Sequence, residues 1–118
     1  MNKHAILDFP RATLRDVKEL VKIENSCFEI DRMSARSFRH MIQKGNCDLV
    51  LARQAARLLG YVLVLYHRGT HLARLYSLAV LPEVRGQRAG EQLLLEAQRL
   101  ATARDCIYMR LEVHPSNE

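Results

Sequence analysis

The stretch VLPEVRGQRAGEQLLLEAQ, residues 80–98, limits the fold more than any other part of this chain. A proline ends an apolar run, Gly86 and Gly90 follow within a few residues, and an amphipathic segment begins at once. The first amides of a helix have no intrahelical acceptor and point along the axis. The helix dipole adds partial positive charge at that end, so the turn suits a phosphate or diphosphate. Glycine lets backbone come close to a ligand because no Cβ intervenes. Arg85 and Arg88 can add charge-assisted contacts. On spacing alone a second reading stands beside this one, a plain turn with a packing contact.

The rest of the chain supplies what such a turn needs on either side. ILDFPRAT reads as a first strand. TLRD opens a helix in the manner of a capping box, Thr13 with Asp16 three residues on. Leu14, Val17, Leu20, Val21 and Ile23 give that helix its apolar face. Ser34 caps a second helix, ARSFRHMIQK, and Gly45 ends it. DLVLAR and GYVLVLYH read as strands around the segment RQAARLL, and HLARLYSLAV as another, closed by Pro82 because proline cannot donate to a ladder. A helix from about Gly90 to Arg104 has Leu93, Leu94, Ala97, Leu100 and Ala101 on one face. In CIYMRLEV, Ile107, Met109, Leu111 and Val113 alternate with Tyr108, Arg110 and Glu112. The order is β-α-α-β-β-β-α-β, and its last strand, turn, helix and strand make one right-handed βαβ unit.

With 118 residues this is one domain, 1–118, of ordinary globular composition. No run approaches a membrane span, and the first residues lack a long apolar signal segment, so a cytoplasmic protein is expected. Cys27, Cys47 and Cys106 match no zinc spacing and no disulfide framework, and no metal site is expected. His67 and His71 flank a turn and read as surface histidines. The formal charge is +5, and 14 of the 18 basic residues are arginines. They are dispersed and carry no aromatic platform, which favours a small anionic ligand over readout of nucleic acid.

LYSLAVLPEVRGQRAGEQLL resembles the acetyl-CoA-binding motif of the GNAT superfamily of N-acetyltransferases, a strand ending in Ala-Val, then x-Pro, then Arg/Gln-x-x-Gly-x-Gly/Ala opening a helix. RLEVHPSN is similar to the next strand of the ribosomal-protein alanine N-acetyltransferases, and FPRATLRDVKELVKIENSCF to the family's first strand and helix. The resemblance implies an α/β, GNAT-like mixed central sheet flanked by helices. It implies acetyl-CoA as donor, a protein or small-molecule amine as acceptor, and attack without a covalent enzyme intermediate. By the same resemblance, backbone at Leu78, Ala79 and Val80 runs beside the pantetheine arm where two strands splay. Arg85, Gly86, Gln87, Arg88, Ala89, Gly90 and Glu91 carry the diphosphate, and Asn117 contacts the cofactor. Arg88 stands where the family has a glycine, and Glu91 puts a carboxylate in the helix's first turn. Both point to weaker binding than a standard family turn.

A protein α-amine is mostly protonated at neutral pH, so transfer needs a base. Glu112 lies at the position of the family's proposed base; pairing with Arg110 on the same strand face is its structural alternative. The family's acid, a tyrosine beyond the asparagine, has no counterpart, and neither Tyr76 nor Tyr108 matches it. The chain is therefore expected to lack the family's final helix and strands, and to offer an open sheet edge through which two copies could pair. Ser77 lies where many relatives place a polar group near the substrate, or else bonds to nearby backbone. Phe28 and Met33 fall in the segment that shapes the superfamily's acceptor site, though packing explains them equally well. Two other classes stay open: a non-catalytic acetyl-CoA-binding or interaction module, and a basic ribosome- or RNA-associated domain.

Overall fold

The computed structural model describes residues 6–111. Two helices, α1 (Val17–Cys27) and α2 (Ala35–Lys44), precede three antiparallel strands, β1 (Cys47–Gln54), β2 (Arg57–Tyr66) and β3 (Leu72–Val80). A 3-10 turn over Pro82–Val84 leads into α3 (Ala89–Ala103), and β4 (Tyr108–Leu111) returns parallel to β3. The sheet order is β1-β2-β3-β4. No helix among the described residues is long and apolar enough to cross a membrane.

Both faces of the sheet are covered, which is why the strands read as near-continuous apolar runs. On one face Val50, Val62, Val64 and Leu75 meet Leu93, Ala97 and Ala101 of α3. On the other Leu49, Leu51, Tyr61 and Leu63 meet Leu20 and Ile23 of α1 and Phe38 of α2. Phe38 and Tyr61 stack edge to face at 5.6 Å. Ser34 Oγ accepts from the Ser37 N–H at 3.1 Å, so the predicted limits of α2 hold. Gly45 ends it in extended backbone, φ −72°. Glycine is needed there because a Cβ would lie 2.9 Å from the Met41 carbonyl, not for a left-handed turn.

Several elements differ from the sequence reading. The expected first strand is reduced to two isolated bridges, Asp8 to Arg53 and Arg11 to Val50. The β1–β2 connection is only Ala55–Ala56, with Ala55 at φ 55°. Leu58 and Leu59 are buried and belong to β2, where Leu59 is the extra residue of a bulge. Thr13 and Asp16 do bond reciprocally, N–H to Oδ2 at 2.7 Å and N–H to O at 2.9 Å, but they open a 3-10 turn (Leu14–Asp16) ahead of α1. On β4 Met109 packs on the core, while Leu111 and, just ahead of the strand, Ile107 are exposed. Helix α3 packs chiefly across β1, β2 and β3.

Candidate acyl-donor and acceptor sites

The middle of β3 decides what faces where. Leu63 pairs with Ser77 and Val64 with Leu75, so Tyr76 is one residue too many. Such a bulge re-aims the side chains that follow. Before it, Ala73 and Leu75 face α3; after it, Leu78 and Val80 do. Ala79 turns to the α1–α2 side, and Ser77, two residues earlier, shares its phase. The β3–β4 pairing described ends at Leu75 with Leu111.

On the α3 side a pocket of about 280 Å³ is lined by Leu78, Val80, Arg85, Gly86, Arg88, Ala89, Gly90 and Glu91. Eight of the residues read from the sequence as donor-binding thus come together. Ala79 faces the opposite core, and Gln87 is exposed, its N–H bonded to the Val84 carbonyl at 3.2 Å. Gly86 has φ 98°, and a Cβ there would meet nothing within 4 Å. A Cβ on Gly90 would touch Val80 Cγ2 at 3.5 Å, ordinary contact. The first amides of α3 have no side-chain cap. An open glycine, uncapped helix amides and the Leu78–Val80 wall fit a diphosphate with an apolar arm.

Arg88 caps α3 at φ 66°, ψ 16°, left-handed backbone that disfavours any residue with a Cβ. Its Nε donates to Glu91 Oε1 at 2.8 Å, so the two departures from the family pattern pair with each other. Arg85 is half committed: its Nε donates to the Val80 carbonyl at 3.2 Å. Cys27 Sγ reaches the same carbonyl at 3.3 Å. Burial raises the Cys27 thiol pKa more than Arg85 lowers it, which keeps the group a thiol and no nucleophile.

On the α1–α2 side a cavity of about 470 Å³ is lined by Glu24, Phe28, Asp31, Arg32, Met33, Ser37, Tyr76 and Ser77. Phe28 and Met33 stand in its wall, as the sequence placed them. Ser77 is 6% exposed and bonds to a side chain, the Tyr61 hydroxyl at 2.8 Å. Tyr61 donates to Glu24 Oε1 at 2.5 Å, and the Met33 N–H to Oε2 at 2.8 Å. Burial, and then the Glu24 charge, push the Tyr61 pKa well up, so it stays protonated. With its single proton on Glu24, the Ser77 contact requires the serine to donate. Glu24 was missed in the sequence, although a signal exists: Leu20, Ile23 and Cys27 set the buried phase of α1, and Glu24 falls inside it. Glu112 and Asn117 lie outside the described residues.

Comparison with known proteins agrees with this architecture. No curated protein sequence matches the chain. PaiA N-acetyltransferase from Thermoplasma acidophilum, solved with coenzyme A, superposes with TM-score 0.81 at 17% identity over 96% of this chain and 82% of that one. The ribosomal-protein-alanine N-acetyltransferase from Brucella melitensis biovar Abortus 2308 gives 0.75 at 18%, over 93% and 82%. An aminoglycoside acetyltransferase from an uncultured soil metagenomic sample, solved with sisomicin, gives 0.74 at 18%, over 95% and 80%. The model of the acetyltransferase (GNAT) family matches residues 17–118. With a glycine turn at a helix N-terminus, a bulged strand beside it and that match over most of its length, the chain belongs to the acetyltransferase (GNAT) family and takes acetyl-CoA as its acetyl donor.

Proposed function

We propose that the chain acetylates the N-terminal amine of a protein, a ribosomal protein among the candidates, by direct attack of the amine on acetyl-CoA. The observation that carries the donor half is the pocket at the start of α3, where Gly86, Gly90 and the uncapped amides converge with Leu78 and Val80. Bound acetyl-CoA supplies the activated thioester carbonyl. The chain's part is to hold the diphosphate on the amides of Arg88, Ala89, Gly90 and Glu91, with Gln87 and the Arg85 guanidinium beside them. Backbone at Leu78, Ala79 and Val80 guides the arm, and an amide there faces the developing oxyanion. Glu112 takes the amine proton and Asn117 contacts the donor, both by resemblance. A small-molecule amine is the second reading, favoured by the modest volume of the acceptor-side cavity. Three free thiols accord with a cytoplasmic setting. Tyr108 and Leu111 on β4, with Ile107 just before it, are exposed and support pairing of two copies along that edge.

Acetyl-CoA titration and a transfer assay on an N-terminal alanine peptide test the reading, with light scattering on the same preparation for the mass of a pair. Gln87→Glu adds a carboxylate to the exposed turn and is expected to weaken acetyl-CoA binding about tenfold. Glu112→Gln is expected to bind the donor normally and lose at least about 100-fold in turnover. Absence of acetyl-CoA binding by the wild type overturns the proposal; binding without transfer reduces it to a binding module.

A further inference from the structure

A groove of about 510 Å³ runs between α1 and α2 and shares no lining residue with the donor pocket or with the cavity beside Glu24. Leu14, Val17, Val21 and Ala35 form its floor, and Lys18, Lys22 and Arg39 its rim. Both helices spend another face on the sheet, through Leu20, Ile23 and Phe38. This seam is left to solvent, and Leu14 in it is 48% exposed. Lys18, Lys22 and Arg39 are exposed too, and among the described residues none of them is in an ion pair. The acids nearest to Lys18 in sequence are engaged elsewhere: Arg53 Nη2 holds Asp16 at 2.6 Å and Glu19 at 3.0 Å. Helix α2, ARSFRHMIQK, has no acidic residue of its own. The rim therefore sets uncompensated positive charge over an apolar floor.

Leu14, Val17 and Val21 are three and four residues apart, so the floor extends about 10 Å along the helix, about two turns. Lys18 and Lys22 stand one turn apart, about 6 Å, and their carbon stems extend the apolar wall. Arg39 closes the rim from α2. We infer that this groove docks an acidic amphipathic helix of a partner protein, its apolar side chains on the floor and its carboxylates against Lys18, Lys22 and Arg39. Leucines three and four apart on such a helix match the spacing of the floor. A second copy of this chain is a poor occupant: it carries a charge of +5, and Glu91 and Glu96 on its longest helix already pair with Arg88 and Arg99. Nucleic acid would leave the floor unused, since no aromatic ring lines the groove for a base to stack on. A bilayer is met by protruding apolar side chains, whereas Val17 is buried and Val21 half-buried. Docking here goes beyond acetyl transfer and needs neither donor nor acceptor.

The probe is a fluorescein-labelled helical peptide that repeats Glu-Glu-Leu-Leu-Glu-Glu-Leu, followed by anisotropy against the whole chain. Its counterpart with lysine in place of every glutamate should not bind. Lys18→Glu/Lys22→Glu should weaken the acidic peptide about tenfold or more, by reversing two charges on the rim. Leu14→Ala should weaken it about fivefold, through lost apolar contact. Affinity should fall as sodium chloride is raised, because exposed charges are screened. Acetyl-CoA affinity and the thermal midpoint, read on the same variants, should stay at the wild-type values. Should the glutamate pair unfold the chain, Lys18→Gln/Lys22→Gln decides instead, with an expected loss of about threefold. A peptide that does not bind the wild type, or that binds these variants equally well, overturns the inference. So does loss in the charge variants with none in Leu14→Ala, which is non-specific attraction. Tighter binding of oligouridylate or of phosphatidylserine vesicles, abolished by the same lysine changes, overturns it in favour of nucleic acid or membrane.

Discussion

Arg88 shows how one residue can be unfavourable to the backbone and useful to its neighbours. Its φ of 66° is a conformation glycine adopts freely, whereas its guanidinium neutralises Glu91 beside the amides that meet the donor. The Arg88 pKa is raised and that of Glu91 lowered, each first by their mutual hydrogen bond. Arg88→Gly is therefore expected to raise the midpoint of thermal unfolding without tightening acetyl-CoA. Tightening should appear only when Glu91→Gln is added, because the single change leaves a bare carboxylate at the anion's door. Calorimetry on the single and double variants checks both halves. A single variant that already binds more tightly contradicts the pairing argument. The sequence showed both residues as oddities, but their mutual bond depends on a dihedral that no residue pattern reveals.

Among the elements, the end of β2 against β3 has the least room. A Cβ on Gly60 would lie 2.4 Å from the Ala79 carbonyl and 3.1 Å from Val80 Cα. Gly60→Ala must push apart the strands that carry the donor pocket. Overpacking of this kind costs about 1–3 kcal/mol, and acetyl-CoA affinity should fall with it; denaturant unfolding and titration together measure the two. The elements were legible where local chemistry closes them: Ser34 and Gly45 for α2, Pro82 and the glycines for the approach to α3. They were illegible where register decides. The chain before α1 meets β1 only at two bridges. The hairpin turn is two alanines without a turn signature, its length set by the burial of Leu58 and Leu59. Glu24 sat in plain view on a helix whose apolar stripe was read as ending before it.

At the scale of the molecule, the end of the sheet remote from the glycine turn is tied by one buried carboxylate. Asp48 is 1% exposed and accepts from Tyr66 at 2.6 Å, from Arg104 at 3.3 Å and from Arg11. It thereby joins the leading segment, β1, β2 and the end of α3, with Arg104 stacked over the Tyr66 ring at 4.2 Å. Burial alone would raise the Asp48 carboxyl. Hydrogen bonds from Tyr66 and Arg11 and the charges of Arg104 and Arg11 outweigh it and hold the pKa below its ordinary value. A depressed folded-state value contributes stability that is complete above the unfolded carboxyl's roughly 3.9 and is lost as pH falls through the folded one. Acid unfolding should accordingly set in below about pH 4. Asp48→Asn should flatten that limb and cost roughly 2 kcal/mol at neutral pH, both read from denaturant curves across pH.

The surplus position in β3 has a consequence for how this chain tolerates change. Many residue types can stand at 76 and leave their neighbours on the same sides of the sheet. Deleting the position would join Leu75 to Ser77 in regular alternation and leave Leu78 and Val80 on the glycine-turn side and Ser77 and Ala79 on the acid-lined side. Taking Tyr76 into the ladder would instead exchange the furnishings of the two chambers. Between Leu75 and Val80, register matters more than identity: a strand paired without its bulge, however well matched in character, would present each substrate with the wall meant for the other.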